Sequence, residues 1–370
     1  MNDQALRRML LVITVTLLGF GCIAVYSATA IQGVVTYGQS VAFVGHHLVA
    51  IALGLLLGLG CLAVPQEWLR RSAKTCILLS VVLLVGVRLF GQEINGAHRW
   101  FRIGHLSIQP SEFAQLALVL YLADFLARKR GAVREFREGF LPPMLITGLM
   151  AGLVLLQPDL GTAIVMAAVA MLLLVVAKAQ WKHLGLSGVL GVVALIVLIG
   201  GEAYRRRRIL AFLNPWQDPQ GVGFQILQSY AALASGGLAG QGIGASIQKL
   251  FYLPGAHTDF IFAIIGEELG FIGTTAILAL FGLFVGCGIR LAQTTEDPFS
   301  KYVICGCVGL IGCEAIVNMA VVTGLLPTKG LPLPLVSYGG TAMISNLLAC
   351  ALMLRASRAG STALLGAAGA

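Results

Sequence analysis

Residues 254–270 read PGAHTDFIFAIIGEELG, which sets a histidine, an aspartate and a pair of glutamates at the edge of an almost uncharged apolar run. From Phe260 to Leu291 the only charges are Glu267, Glu268 and Arg290. A carboxylate at or inside a bilayer boundary costs roughly 2.5–3.5 kcal/mol on insertion scales, so it faces a polar cavity or a partner rather than lipid. Three carboxylates within ten residues make this the first place to look for function, and His257, two residues before Asp259, could tune that carboxylate. Positive charge to complement an anion is also at hand, in Arg99, the run Arg205 to Arg208, Lys249 and Lys329. Arginine offers a planar fork of donors suited to phosphate or pyrophosphate. Two more carboxylates follow prolines. Glu112 lies in QPSE and Asp159 in QPDLGT. Each also suits a simpler role, Glu112 in the first turn of a helix with Ser111 as its cap, and Asp159 as a turn or cap residue.

The elements that must position these residues are membrane helices. The chain has 370 residues, 58% hydrophobic and 11% charged, against about 25% charged in soluble proteins. That excludes a soluble enzyme and gives no reason to expect a nucleic-acid partner. The apolar runs are continuous and lack a period of two, which argues against a β-barrel. At about 20 apolar residues per span, ten spans are expected, near 9–28, 47–65, 75–92, 112–128, 142–157, 161–177, 184–201, 260–291, 301–326 and 342–357. No signal-peptide cleavage pattern follows the first run, which reads as a retained anchor.

With the N-terminus inside, the inner segments hold sixteen Lys and Arg and the outer ones eight. This asymmetry places both termini in the cytoplasm. The unusual sequence then collects outside, in 91–111, the turn 157–162, the long loop 202–258 between helices seven and eight, and 327–341. The prolines at 327, 332 and 334 break helix, so 327–341 is expected to re-enter or cap a cavity. Positive charge on an outer face is not explained by insertion rules and points to an anionic ligand there. The glycine-rich stretch 235–244 follows no strand, so a nucleotide loop is a poor reading, and close backbone approach or tight turns a better one. The eight cysteines show no metal spacing and read as small packing residues. His98 and His105 read as interfacial polar residues.

The stretches NGAHRWFRIG (95–104), IQPSEFAQLAL (108–118), QPDLGTA (157–163), RRILAFLNPWQDPQGVGFQILQS (207–229), QKLFYLPGAHTDFIFAIIGEELG (248–270) and LLPTKGLPLPLVSYGGT (325–341) resemble, in order, the SEDS family of membrane glycosyltransferases. The wording of SIQKLFYLP, AIIGEELG and LPTKGLPLPLVSYGG is closer to the family's division members than to its elongation members. The resemblance implies one all-α polytopic domain over 1–358, with ten transmembrane helices and a disordered cytoplasmic tail over 359–370. It implies polymerisation of lipid II into glycan strands at the outer face of the cytoplasmic membrane, with release of undecaprenyl pyrophosphate. The implied partners are a class B penicillin-binding protein and other division proteins at the septum.

Residue by residue, the Asp of the HTDF motif lands on Asp259, the catalytic position. The QPSE Glu lands on Glu112 and the QPDLG Asp on Asp159, while Lys329 and Ser337 match the TKG and SYGG motifs. Arg99, Arg207, Lys249 and His257 complete the expected substrate-binding set. A divalent cation, Mg or Mn, could share the pyrophosphate, but no ligand set is assignable. Two positions depart from the family. Gln115 stands where a Lys is usual after the QPSE Glu, and Gly255 where YLP is usually followed by Glu. Other classes remain open on residues alone. A lipid II flippase would also use buried carboxylates and broken helices, although no inverted repeat is visible. A scaffold would leave Asp259 dispensable, and an elongation-type polymerase would share the chemistry.

Overall fold

A computed structural model of the protein describes residues 2–94, 97–103 and 106–367; His105 lies outside them. Helices dominate because a chain in lipid must satisfy its backbone internally. In order they are α1 (Asp3–Tyr37), α2 (Ala42–Ala63), α3 (Gln66–Phe90), α4 (Pro110–Arg128), α5 (Leu141–Leu155), α6 (Leu160–Val176), α7 (Trp181–Gly201), α8 (Ala203–Leu213), α9 (Phe224–Gly236), α10 (Ile261–Thr294), α11 (Pro298–Val322) and α12 (Gly340–Ala367). Nine candidate spans among the described residues are long and apolar enough to cross a membrane, and the shorter α6 is apolar too. The expected tail 359–370 overlaps the end of α12, and its last three residues lie outside the described ones.

The bundle is all-helical as expected, and segment 91–111 adds three short antiparallel strands outside it, β1 (Gln92–Ile94), β2 (Ala97–Ile103) and β3 (Leu106–Ile108), in the order β1-β2-β3. Residues 98–103, HRWFRI, show no polar–apolar alternation that would mark a strand in a sequence reading. The cap of α4 is Gln109 rather than Ser111, with Pro110 in the first turn and no side-chain cap bond.

Burial sorts the helices. The apolar window of α4 is 78% buried inside the protein and those of α11 and α12 are 67% buried, whereas that of α7 is 6% buried. The core is therefore α4, α11, α12 and α6, with α7 facing lipid on nearly every side. At one end Gln66 Nε2 donates to Asp297 Oδ2 (2.6 Å), Arg355 Nε donates to the Val64 carbonyl (2.7 Å), and Asp124 pairs with Arg70 (3.0 Å) and Arg128 (2.6 Å). At the other end lie the four segments singled out above. The topology thus gathers the polar sequence at one end of the bundle.

The long segment between α7 and α10 is not a free loop. α10 is kinked at Gly270 (φ 66°, ψ −161°). The kink frees backbone groups, and the glycine-rich stretch fills the break. Phe271 and Ile272 N–H donate to the carbonyls of Gly237 and Leu238 (2.9 and 3.1 Å), while Gln241 and Gly242 N–H donate to Glu267 and Glu268 carbonyls (3.0 and 2.9 Å). A Cβ on Gly270 would sit 2.4 Å from the Gly240 nitrogen. The glycines thus serve approach of backbone to backbone rather than approach to a ligand.

Candidate active site

Asp259 ends the turn that leads into α10. It does not serve as that helix's cap: the cap position is Phe260, with no side-chain cap bond. Its main chain is pinned instead. Asn318 of α11 donates from Nδ2 to the Asp259 carbonyl (2.8 Å) and to the Leu331 carbonyl (2.7 Å). Ser337 Oγ donates to the Thr258 carbonyl (2.6 Å) and accepts from Leu333 N–H (2.8 Å), and Tyr338 N–H donates to the His257 carbonyl (2.9 Å). These bonds fasten the turn 257–260 to the irregular segment 327–339. Gly330 lies against the carboxylate, where a Cβ would be 3.2 Å from Asp259 Oδ2. Only a residue without a side chain leaves that approach open.

Beside this carboxylate is a cavity of about 90 Å³, lined by Arg99, Asp159, Arg205, Arg208, Lys329 and Gly330 among others. Burial pushes the Asp259 carboxyl up to about 6, partly offset by Arg208 and Arg99 and reinforced by Asp159. A base near 6 is ionised at neutral pH yet still basic enough to take a proton. Burial holds Lys329 down at about 8, with Asp159 opposing that shift. Lys329 stays cationic at pH 7 but is poorly hydrated, which strengthens its pull on an anion.

The neighbours hold the wall. Arg99, on β2, donates to the carbonyls of Gln157 (2.7 Å) and Pro158, fixing the turn between α5 and α6. Asp159 caps α6: Oδ1 accepts from Thr162 N–H (3.2 Å) and Oδ2 from the Thr162 hydroxyl (2.9 Å). Gln109 Nε2 also donates to Asp159 Oδ2 (3.4 Å). Arg205 Nη1 donates to the Leu198 carbonyl at the end of α7 (3.0 Å), and Arg208 Nη1 donates to the Thr328 carbonyl (3.0 Å).

The sequence reading placed Arg207 in the anion clamp. The cavity is lined instead by Arg205 and Arg208, three apart on α8, while Arg207 is exposed. Reading 203–213 as a helix would have separated them, since positions i and i+3 share a face. Lys249 also lies elsewhere. Its ammonium pairs with Glu268 (2.9 Å) and donates to Ser27 (3.0 Å) and the Gly244 carbonyl (2.6 Å). Glu267 accepts from Ser246 Oγ (2.5 Å) and Ile247 N–H (2.9 Å), so the glutamate pair ties 244–249 to α10 and α1.

His257 packs against the rings of Phe43 (5.5 Å) and Tyr338 (5.6 Å), and burial lowers its basicity. Ser337 spends its hydroxyl on main chain, as described. His98, on β2, meets the Gly91 carbonyl at 2.8 Å through Nδ1.

Glu112 is buried in the first turn of α4, near enough to Asp159 to feel its charge, and Ser345 Oγ donates to its carbonyl (3.0 Å). Glu314, buried on α11, lies within electrostatic reach of Glu112 and beside Gln115. Its signal in the sequence is that it is the lone carboxylate of the apolar run 302–326, which the sequence reading passed over; the packing of α11 on α4 brings it to Glu112.

Comparison with known proteins agrees with this layout. The family model described as a cell cycle protein, FtsW/RodA/SpoVE, matches residues 8–362. A probable peptidoglycan glycosyltransferase FtsW of Trichlorobacter lovleyi is 41% identical over 350 residues, covering 94% of this chain and 92% of that protein. Stage V sporulation protein E of Bacillus subtilis is 40% identical over 355 residues, covering 95% of this chain and 96% of that protein. Among solved structures, a chain of a peptidoglycan synthase complex that coordinates polymerisation and crosslinking superposes with a TM-score of 0.78 at 32% identity, covering 94% of this chain and 96% of that one. The rod shape determining protein RodA of Thermus thermophilus superposes at 0.70 with 30% identity, covering 94% and 95%. Matched along nearly its whole length in sequence and in fold, the chain belongs to the FtsW/RodA/SpoVE family.

Proposed function

We propose that the protein is a peptidoglycan glycosyltransferase that polymerises lipid II. The observation that carries this reading is the buried Asp259 carboxylate, on a pinned turn, beside a cavity walled by Arg99, Arg205, Arg208 and Lys329. Glycan growth joins the anomeric carbon of one lipid-linked disaccharide to the 4-hydroxyl of another. The hydroxyl proton passes to Asp259 as the C–O bond forms, and the anomeric bond to undecaprenyl pyrophosphate breaks. Positive charge aimed at the leaving pyrophosphate stabilises the transition state where its charge develops. Lys329 and Arg208 fill that role, and Arg99 and Asp159 set the wall that positions them.

Among the described residues no three His, Cys, Asp or Glu side chains stand together to hold a divalent cation, and both Asp159 oxygens are engaged by Thr162. No step above is routed through a metal.

The charge asymmetry of the loops supports an outward-facing site with both termini in the cytoplasm. The placement is then the cytoplasmic membrane, and the FtsW-like wording supports work at the division septum. The synthase-complex neighbour supports a class B penicillin-binding protein as partner, with other division membrane proteins around it. The test is direct: purified protein, alone and with that transpeptidase, is given labelled lipid II in detergent. Polymer formed by the wild type and lost in Asp259→Asn is the expected result. Lipid scrambling in liposomes with no polymer would replace this reading with transport.

A further inference from the structure

At the end of the bundle away from Asp259, a cavity of about 670 Å³ opens where α6 ends and α7 begins. Ligand pockets commonly span about 300–1,000 Å³. Its wall holds Arg134, Lys178, Lys182, Gln180 and Trp181, and no Asp or Glu. None of the three cations has an ion pair or side-chain hydrogen bond among the described residues. By contrast, Lys129 nearby is paired with Glu138 (3.5 Å).

The turn that presents these cations is built in an unusual way. Lys178 has φ 62°, a left-handed conformation that costs a residue with a side chain about 1–2 kcal/mol. Main-chain bonds hold it there, from Lys178 N–H to the Val175 carbonyl and from Ala179 N–H to the Leu174 carbonyl, both 3.0 Å. A glycine or asparagine would take this conformation more easily, yet the position carries a cation at the mouth of the cavity.

The depth of the cavity narrows the choice of ligand. Trp181 is 77% exposed and opens α7, the helix that faces lipid almost all round. A tryptophan there marks the headgroup level. An ordinary basic girdle explains the sign of the charge but not three unpaired cations around one concavity without an acid. Basic pockets between membrane helices suit phosphate headgroups. We propose that this cavity binds the phosphate headgroup of an anionic phospholipid.

The test is titration of the purified full-length protein in neutral detergent with fluorescent phosphatidylglycerol and, in parallel arms, with phosphatidylcholine and inorganic phosphate. At about 1 kcal/mol per cation, Lys182→Gln or Arg134→Gln alone weakens phosphatidylglycerol binding about fivefold. The triple variant Arg134→Gln/Lys178→Asn/Lys182→Gln weakens it on the order of 100-fold by the same figure. Asparagine at 178 keeps the left-handed backbone within reach, and the single variants serve if the triple does not fold. A control with the same charge loss at exposed positions, Arg71→Gln/Lys74→Gln/Arg290→Gln, keeps its affinity. Equal weakening in both triples, or none in either, overturns the site. Inorganic phosphate binding as tightly as the lipid overturns the assignment to a headgroup.

Discussion

At the scale of single residues, Asp259 owes its value to being held away from water. Its carboxyl sits near 6 because burial outweighs the pull of Arg208 and Arg99. Polymerisation should therefore rise with pH through about 6 and level off above it, read from initial rates in lipid II assays. Asp259→Asn keeps the shape and removes the proposed base. We expect a fall of about 10²-fold or more, the lower end of general-base contributions, with normal protein level. Asp259→Glu should recover little, because a shift of about 1 Å spoils the attack geometry. Near-normal polymer from the Asn variant would move the chemistry to another carboxylate.

The same burial has a stability consequence with a definite sign. A carboxyl raised on folding adds stability that is complete below its unfolded value and is lost as pH climbs through about 6. Asp259→Asn should thus melt higher than wild type at pH 7 and equally at pH 4, in thermal scans. Among the arginines, Arg208→Gln should raise the KM for lipid II clearly more than Arg207→Gln, since only the first lines the cavity. Equal effects would mean that the clamp is diffuse.

At the scale of elements, the segment between α7 and α10 works as a brace. The Lys249–Glu268 pair has both side chains 6% exposed. Removing one partner of a buried pair costs about 3–5 kcal/mol. Lys249→Met should lower the melting temperature and expose 236–250 to protease, while Lys249→Met/Glu268→Gln recovers part of the loss. A large rise in KM with unchanged melting would return Lys249 to substrate binding.

This brace also shows where sequence reasoning stops. Helices announced themselves through continuous apolar runs, and Asp259, Asp159, Arg99 and Lys329 through charge set beside them. The destination of Lys249 did not, because its partners Ser27 and Glu268 lie 222 and 19 residues away in sequence. Arg208 could have been told from Arg207 by helical phase, a local signal. Glu314 could have been noticed as the lone carboxylate in its apolar span, but its neighbour Glu112 could not be named, because only the contact between α4 and α11 sets it.

At the scale of the whole molecule, the charge asymmetry predicts orientation. In a variant without native cysteines, single cysteines placed in 205–250 should react with an impermeant thiol reagent from outside intact cells, and those in 129–140 should not. Reversed labelling would turn the site toward the cytoplasm and remove its access to a growing wall. The loop ends could be grouped from sequence alone because apolar spans alternate their sides. Their distances could not, since contacts such as Asp259 to Gly330 depend on how α10 and α11 pack.

One helix links the site to the physical state of the membrane. α7 has 21 residues, about 31 Å at 1.5 Å per residue, and hardly any protein around it. α8 follows directly, with Arg205 bonded back to the Leu198 carbonyl. A helix that rests on lipid adjusts its tilt to bilayer thickness, and we expect that tilt to pull through α8 on the bond from Arg208 to the Thr328 carbonyl. The height of Arg208 relative to Asp259 then depends on acyl-chain length, while the core helices that hold the base stay put. Reconstituted into bilayers of increasing chain length, the protein should show an optimum thickness for polymerisation, whereas its melting temperature changes little. The membrane would act as a caliper on the catalytic gap.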